Sequence, residues 1–155
     1  MEELDRRILS LLAKDGRMSF TDLGRATGLS TSAVHQRVKR LESRGVIKGY
    51  AAEVDYDRID LPLTAFISIR PIDPSEPDDS PERLRPITEI ESCWSVAGDE
   101  SYILKTRVAT PVALEDLLAR IRSAANVSTR TTIVLSTPYE SRPAGWASDQ
   151  LDTLE

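Results

Sequence analysis

The residues best suited to chemistry fall between Ser30 and Arg44. There Ser30, Thr31, Ser32, His35, Gln36, Arg37, Lys39, Arg40 and Arg44 gather hydroxyl, amide, imidazole and cationic groups. Such a set suits a nucleic acid: glutamine bonds adenine through two atoms, serine donates or accepts at a base edge, and lysine and arginine meet phosphate. If Val34, Val38 and Leu41 turn inward at about 100° per residue, Ser32, Gln36 and Lys39 point outward, flanked by His35 and Arg40. Ser32 and Gln36, near the helix start, are then placed to reach bases in a major groove. Lys39, Arg40 and Arg44 follow where such a helix meets the DNA backbone. Arg37 lies nearer the core boundary, so it either positions a phosphate or covers the packing with its stem. The competing reading of the whole face is an ordinary solvated basic surface.

A second set lies at Gly98-Asp99-Glu100-Ser101-Tyr102. Glycine permits close backbone approach, exposed amides donate to a carboxylate, and Asp99 or Glu100 can pair with an ammonium. A free amino acid presents both of those groups. The plainer reading is an acidic hairpin tip.

Catalytic and metal chemistry have little to work with. His35 is the only histidine and Cys93 the only cysteine, which forbids an internal disulfide and a multi-cysteine zinc site and leaves any triad dependent on one imidazole. His35 has no acidic neighbour and reads as a surface or DNA-contacting residue. Cys93, between Ser92 and Trp94, reads as a small buried hydrophobe. Asp78-Asp79 sits in a proline-rich loop without a partner base. No catalytic residue, metal or cofactor is expected.

These groups require elements to hold them. Leu4, Ile8 and Leu11 give the stripe of a first helix that stops near Lys14-Asp15-Gly16. Ser19 or Thr21 caps a second, carrying Leu23 and Ala26, which Gly28 ends. Ser30 caps the third and Gly45 terminates it, so the three form a helix-turn-helix unit. Val46 to Val54 favours an extended connection. Beyond it, Leu63 to Ile72 reads as a strand, and Pro71, Pro74, Pro77 and Pro81 break up an acidic loop. Ser80-Pro81 caps a short helix through Leu84, Ile87 and Ile90. Cys93 to Ala97 and Tyr102 to Ala109 make a hairpin, and Thr110-Pro111 opens a helix carrying Leu114, Leu117, Leu118 and Ile121 to Asn126. Val127 to Leu135 is the last strand, with Val127, Ile133 and Leu135 on one face. The order β-α-β-β-α-β is that of a ferredoxin-like sandwich, and the fold class is α+β. The expected domains are 1–49, a linker 50–62, a second domain 63–139 and a loose tail 140–155.

Length and charge agree with that division. At 155 residues and 17.2 kDa the chain has room for one or two small domains. Up to Gly49 it carries 10 Lys/Arg against 6 Asp/Glu, a net of +4; the rest carries 10 against 19, giving −5 in all. A basic head is attached to an acidic body, and local field rather than overall charge governs docking to DNA. With 40% hydrophobic and 29% charged residues the composition is globular. No apolar run nears the ~20 residues of a membrane helix, and the acidic start lacks the pattern of a secretory signal, so a cytoplasmic protein without membrane contact is expected.

The chain resembles the Lrp/AsnC, or feast/famine, family of transcription regulators from about Leu4 to Tyr139. The head carries the resemblance in Leu4-Asp5-Arg6-Arg7-Ile8-Leu9, Asp15-Gly16-Arg17, Gly28-Leu29-Ser30, Val34 through Glu42 and Gly45 through Tyr50. Val96-Ala97-Gly98-Asp99, Tyr102-Ile103-Leu104 and Thr129-Arg130-Thr131 resemble the family's effector domain, called RAM. The resemblance implies a winged-type helix-turn-helix on double-stranded DNA, and a RAM domain that binds an amino acid or similar effector between dimers. It also implies self-association into dimers and octamers. Effector contacts map onto Gly98, Asp99, Glu100, Ser101 and Tyr102, and onto Thr131 and Ile133. Many members carry Asp at the position of Ser101, so here one charge for an effector's ammonium is absent. The expected function is sequence-specific transcriptional regulation. The alternatives are a small-molecule-binding or assembly module without strong DNA recognition, and a metabolic enzyme, disfavoured for want of a nucleophile and base.

Overall fold

Three amphipathic helices build the head of the molecule, the second and third each started by a serine cap. In the computed structural model, which describes residues 1–143, these are α1 (Glu3–Lys14), α2 (Phe20–Thr27) and α3 (Thr31–Ser43). Ser19, rather than Thr21, caps α2: its Oγ accepts from the Asp22 amide at 3.1 Å. Gly28 closes that helix at φ 73°, in the left-handed region that glycine adopts without penalty. Ser30 Oγ accepts from the Ala33 amide at 3.2 Å and so starts α3. Ile8, Leu23, Val34, Val38 and Leu41 form the core of this unit. The α2–α3 turn lies directly on α2, where the Leu29 amide donates to the Gly24 carbonyl at 3.0 Å. A Cβ at Gly24 would stand 2.6 Å from the Leu29 carbonyl oxygen.

Two features of the head depart from the sequence expectation. The stripe of α1 includes Asp5, which is buried. Between α3 and the first strand no ladder forms, so among the described residues the helix-turn-helix is present without a paired wing. Extended backbone becomes strand only when a neighbour takes its hydrogen bonds. Here Val46, Tyr50 and Val54 remain exposed.

Met1–Glu53 forms one compact unit and Val54–Pro138 the other, with described residues beyond Pro138 grouped with the head. The expected linker 50–62 therefore does not lie wholly between the units. Its second half contains a 3-10 turn, Tyr56–Ile59, whose Tyr56 ring lies 3.8 Å beneath the Arg107 guanidinium. Most of the tail expected over 140–155, from residue 144 onward, lies outside the described residues.

The second unit is a four-stranded antiparallel sheet in the order β2-β3-β1-β4. The strands are β1 (Leu63–Pro71), β2 (Ile90–Ser95), β3 (Tyr102–Val108) and β4 (Val127–Ile133); α4 (Ser80–Leu84) and α5 (Pro111–Ala125) complete the ferredoxin-like order. Strict alternation sends Ala65, Ile67 and Ile69 of β1 and Tyr102, Leu104, Thr106 and Val108 of β3 to one face. Leu84, Leu114, Leu117 and Ile121 cover that face. Thr106, the buried polar member, donates to the Ala65 carbonyl at 3.1 Å.

The boundaries differ most at three elements, α4, β2 and β4. The helix expected through Ile87 and Ile90 stops at Leu84, because Pro86 has no amide with which to continue the helical hydrogen bonds, although Arg85 before it still has helical backbone. Ser80 is its first residue rather than its cap, and the Asp79 side chain makes no capping bond. β2 accordingly starts at Ile90 and ends at Ser95, with a register shift between Ile90 and Ser92. β4 ends at Ile133, so Leu135 lies beyond the strand at 95% exposure and does not share the buried face with Val127.

Candidate DNA interface and effector turn

The face of α3 follows from its helical phase. Val34, Val38 and Leu41 are buried, which leaves Thr31, Ser32, His35, Gln36, Lys39 and Arg40 exposed. Ser30 is occupied as the cap, and Arg44 ends the helix with its amide donating to the Arg40 carbonyl. The His35 ring packs edge to face with Phe20 of α2, at 5.3 Å between centroids. That contact sets the ring against the first residue of α2.

Two of the cations are engaged inside the protein. Arg37 Nη1 donates to Asp5 Oδ1 at 2.8 Å and to Glu2 Oε2 at 2.7 Å. Arg40 Nη2 donates to both Asp5 oxygens, at 3.2 and 3.3 Å. Burial pushes the Asp5 carboxyl up, but the hydrogen bond from Arg37 and the charges of Arg40 and Arg37 outweigh it and hold the group below its usual range. The two open readings of Arg37 thus resolve in part: its guanidinium ties α3 to α1, with its side chain 22% exposed. Sequence reasoning missed Asp5. The signal was present in an acid at the i−3 position from Ile8 on an otherwise apolar stripe.

The other candidate lies in the β2–β3 connection. The Ser101 amide donates to the Ile69 carbonyl at 3.0 Å, and the Ser101 carbonyl accepts from Val96 at 3.1 Å. The turn is therefore pinned to β1 and the Ser101 amide is committed, while the amides of Gly98, Asp99 and Glu100 donate to no protein group among the described residues. Gly98 sits at φ 157°, and a Cβ there would meet nothing within 4 Å. Tyr102 turns its ring into the core and donates from its hydroxyl to Asp78 at 2.9 Å. That hydrogen bond, reinforced by burial, raises the phenol above its ordinary value.

Within one chain the structure does not bring all the expected effector residues together. Thr131 pairs with Ile67 and Ile133 with Ala65, while the turn meets β1 at Ile69. At about 3.3 Å per residue, Ile133 lies some four residues down the sheet from the turn. Arg130 is the neighbour instead, ion-paired with Glu100. Ser68, Arg70, Asp99, Glu100, Ser128, Thr129 and Arg130 line a cavity of about 200 Å³. The arginines escaped sequence reasoning because only the strand order, with β1 between β3 and β4, places them beside the turn.

Two family descriptions match this architecture, an AsnC-type helix-turn-helix domain over 1–42 and an Lrp/AsnC ligand binding domain over 64–144. The chain belongs to the Lrp/AsnC family. That family consists of transcriptional regulators, not enzymes, which accords with a chain whose one imidazole packs on a phenylalanine. The HTH-type transcriptional regulator LrpA of Mycobacterium tuberculosis is 54% identical over 142 residues, spanning 92% of this chain and 95% of its own. The leucine-responsive regulatory protein of Escherichia coli is 36% identical over 140 residues, 87% of this chain and 85% of its own. Among solved Lrp/AsnC structures, a feast or famine regulatory protein from M. tuberculosis complexed with L-methionine superposes with a TM-score of 0.90. It is 54% identical, over 92% of this chain and 97% of that one. AsnC of E. coli gives 0.80 at 26% identity, over 90% and 95%. No helix among the described residues is long and apolar enough to cross a membrane.

Proposed function

We propose that this regulator docks α3 in the major groove of double-stranded DNA and that an amino acid bound at the Gly98 to Tyr102 turn controls it. The observation that carries the reading is the division of α3. One face is fully buried, and the opposite face presents Thr31, Ser32, Gln36 and Lys39 to solvent on a helix whose start is capped by Ser30. Ser32 and Gln36 read base edges, and Lys39, Arg40 and Arg44 contact phosphate, with His35 and Arg37 at the margins. Gln36→Ala should relax preference at one position per half-site by about 1–3 kcal/mol. Lys39→Ala should weaken binding to every sequence and reduce the salt slope by about one. Fluorescence anisotropy on selected and random duplexes checks both. A Gln36→Ala/Lys39→Ala variant that binds as tightly and as selectively as the parent would overturn the reading.

The sheet face opposite the helices exposes Phe66 and Trp94 at 36% and 47%. We infer that a second copy covers it, which gives a dimer and then octamers. Two symmetric heads require pseudo-palindromic operators with half-sites about 10 bp apart or a multiple. Such a protein acts in the cytoplasm, with 1–49 as the reading head and 63–139 as the effector domain.

The methionine complex of the M. tuberculosis relative supports an amino acid as the effector class. Amides of the turn donate to its carboxylate, Asp99 or Glu100 meets its ammonium, and Thr131 and Ile133 contribute from another copy. Calorimetric titration of the twenty amino acids should find at least one ligand whose binding is lost in Gly98→Trp. Unchanged affinity in a folded Gly98→Trp protein would place the pocket elsewhere.

A further inference from the structure

We propose that the depression formed by Ala33, Gln36, Arg37 and Arg40 on α3 receives one backbone phosphate of duplex DNA, and that Glu2, which does not line it, holds its two arginines as an internal phosphate mimic in the free protein. The inference rests on the reading of α3 as the DNA-facing helix. The depression measures about 390 Å³ and adjoins Gln36, the residue at the centre of the outward face. Its walls hold two guanidinium groups and two carboxylates reach them. The carboxylates are not equivalent. Asp5 has a side chain only 4% exposed, bonds both arginines and belongs to the first turn of α1, so it stays in place as a positioning residue. Glu2 has a side chain 60% exposed, precedes the first helical residue and contributes no capping hydrogen bond. It reaches Arg37 at 2.7 Å and Arg40 at 3.8 Å.

Charge counting makes the exchange natural. Two arginines against Asp5 and Glu2 leave the depression neutral. With Glu2 swung out, one positive charge remains beside the groove-reading residues. A phosphodiester carries the same single negative charge as the carboxylate it replaces, and its oxygens suit the guanidinium donors that Glu2 releases. Asp5 keeps both arginines aimed throughout, so the site needs no rebuilding when DNA arrives. Glu2 therefore lowers affinity for all duplexes equally and leaves sequence preference to Ser32 and Gln36.

The test measures full-length protein on a random-sequence duplex across a salt series, for Glu2→Gln, Glu3→Gln, Arg37→Gln and the Glu2→Gln/Arg37→Gln pair, with thermal melts to establish folding. Glu3 makes the same charge change one residue away and pairs with neither arginine. Glu2→Gln is expected to bind about fivefold tighter at low salt, with the gain fading as screening shortens toward a few ångströms. Glu3→Gln should gain less than about twofold, and in the Arg37→Gln background the Glu2→Gln gain should shrink to that of the Glu3 control. Equal effects of the Glu2 and Glu3 changes, or a Glu2 gain that persists without Arg37, overturn the exchange. If Gln36→Ala and Lys39→Ala leave binding untouched, the reading of α3 fails and the exchange falls with it. If those two weaken binding while Glu2→Gln matches Glu3→Gln, only the exchange fails.

Discussion

Gly24→Val should destabilise the head by about 3 kcal/mol and abolish DNA binding at concentrations where the parent is saturated. The reason is local and steric. Gly24 lies where the α2–α3 turn folds back, and its own carbonyl accepts from the Leu29 amide. A Cβ would stand 2.6 Å from the Leu29 backbone oxygen, well inside contact distance, and both that oxygen and the next carbonyl carbon belong to main chain that cannot rotate away. Valine adds two methyl groups at a β-branched centre, so the turn must lift and take α3 off the Leu23, Val34 and Val38 core. Alanine, which adds only the Cβ, should cost less. Far-ultraviolet circular dichroism during denaturant unfolding measures the loss, and anisotropy on duplex DNA measures the binding. A Gly24→Val protein that unfolds at the parent's midpoint would show that the turn yields without cost, and the prediction would be wrong.

The second large effect belongs to Asp5. Asp5→Ala should cost the head about 2–3 kcal/mol, since it leaves Arg37, largely covered, without its main buried partner. The figure is below that for a wholly buried pair because Arg40 is 45% exposed and can turn to water. Asp5→Asn keeps the volume and separates charge from packing: most of the loss should remain. The same group gives the head an acid sensitivity. Its folded carboxyl titrates below the ordinary 3.8, so its contribution is fully present above that value and disappears as pH falls through the lowered one. Unfolding of the parent should therefore become easier from about pH 4 downward, with a steeper slope than in Asp5→Asn. Parallel slopes in the two proteins would remove Asp5 as the cause.

What the amino-acid sequence by itself makes legible is governed by local rules. A serine before a helical stripe, a glycine after it and the alternation of apolar residues along β1 and β3 act over a few residues, so Ser30, Gly28 and the two faces of the sheet were legible from spacing alone. The outward set Ser32, Gln36 and Lys39 came from the same arithmetic, because helical phase is fixed once the buried stripe is known. Where local signals competed, the reading slipped. Ser80-Pro81 looked like a cap, yet Pro86 ended the helix before Ile87, and a β-prone stretch after Gly45 found no partner strand. Asp5 and the pairing of Arg37, the close approach at Gly24, and the placement of Arg70 and Arg130 beside the Glu100 turn were decided by tertiary structure alone. The ion pairs depend on segments far apart in the chain meeting at hydrogen-bond distance, and the Gly24 contact, though its partner Leu29 is near in the chain, depends on how the turn folds back on α2. An amino-acid sequence states which charges and which small residues it contains, but whether an acid neutralises an arginine or faces solvent is settled by helix packing and strand order, because Coulomb and steric energies depend on distance in space and not on separation along the chain.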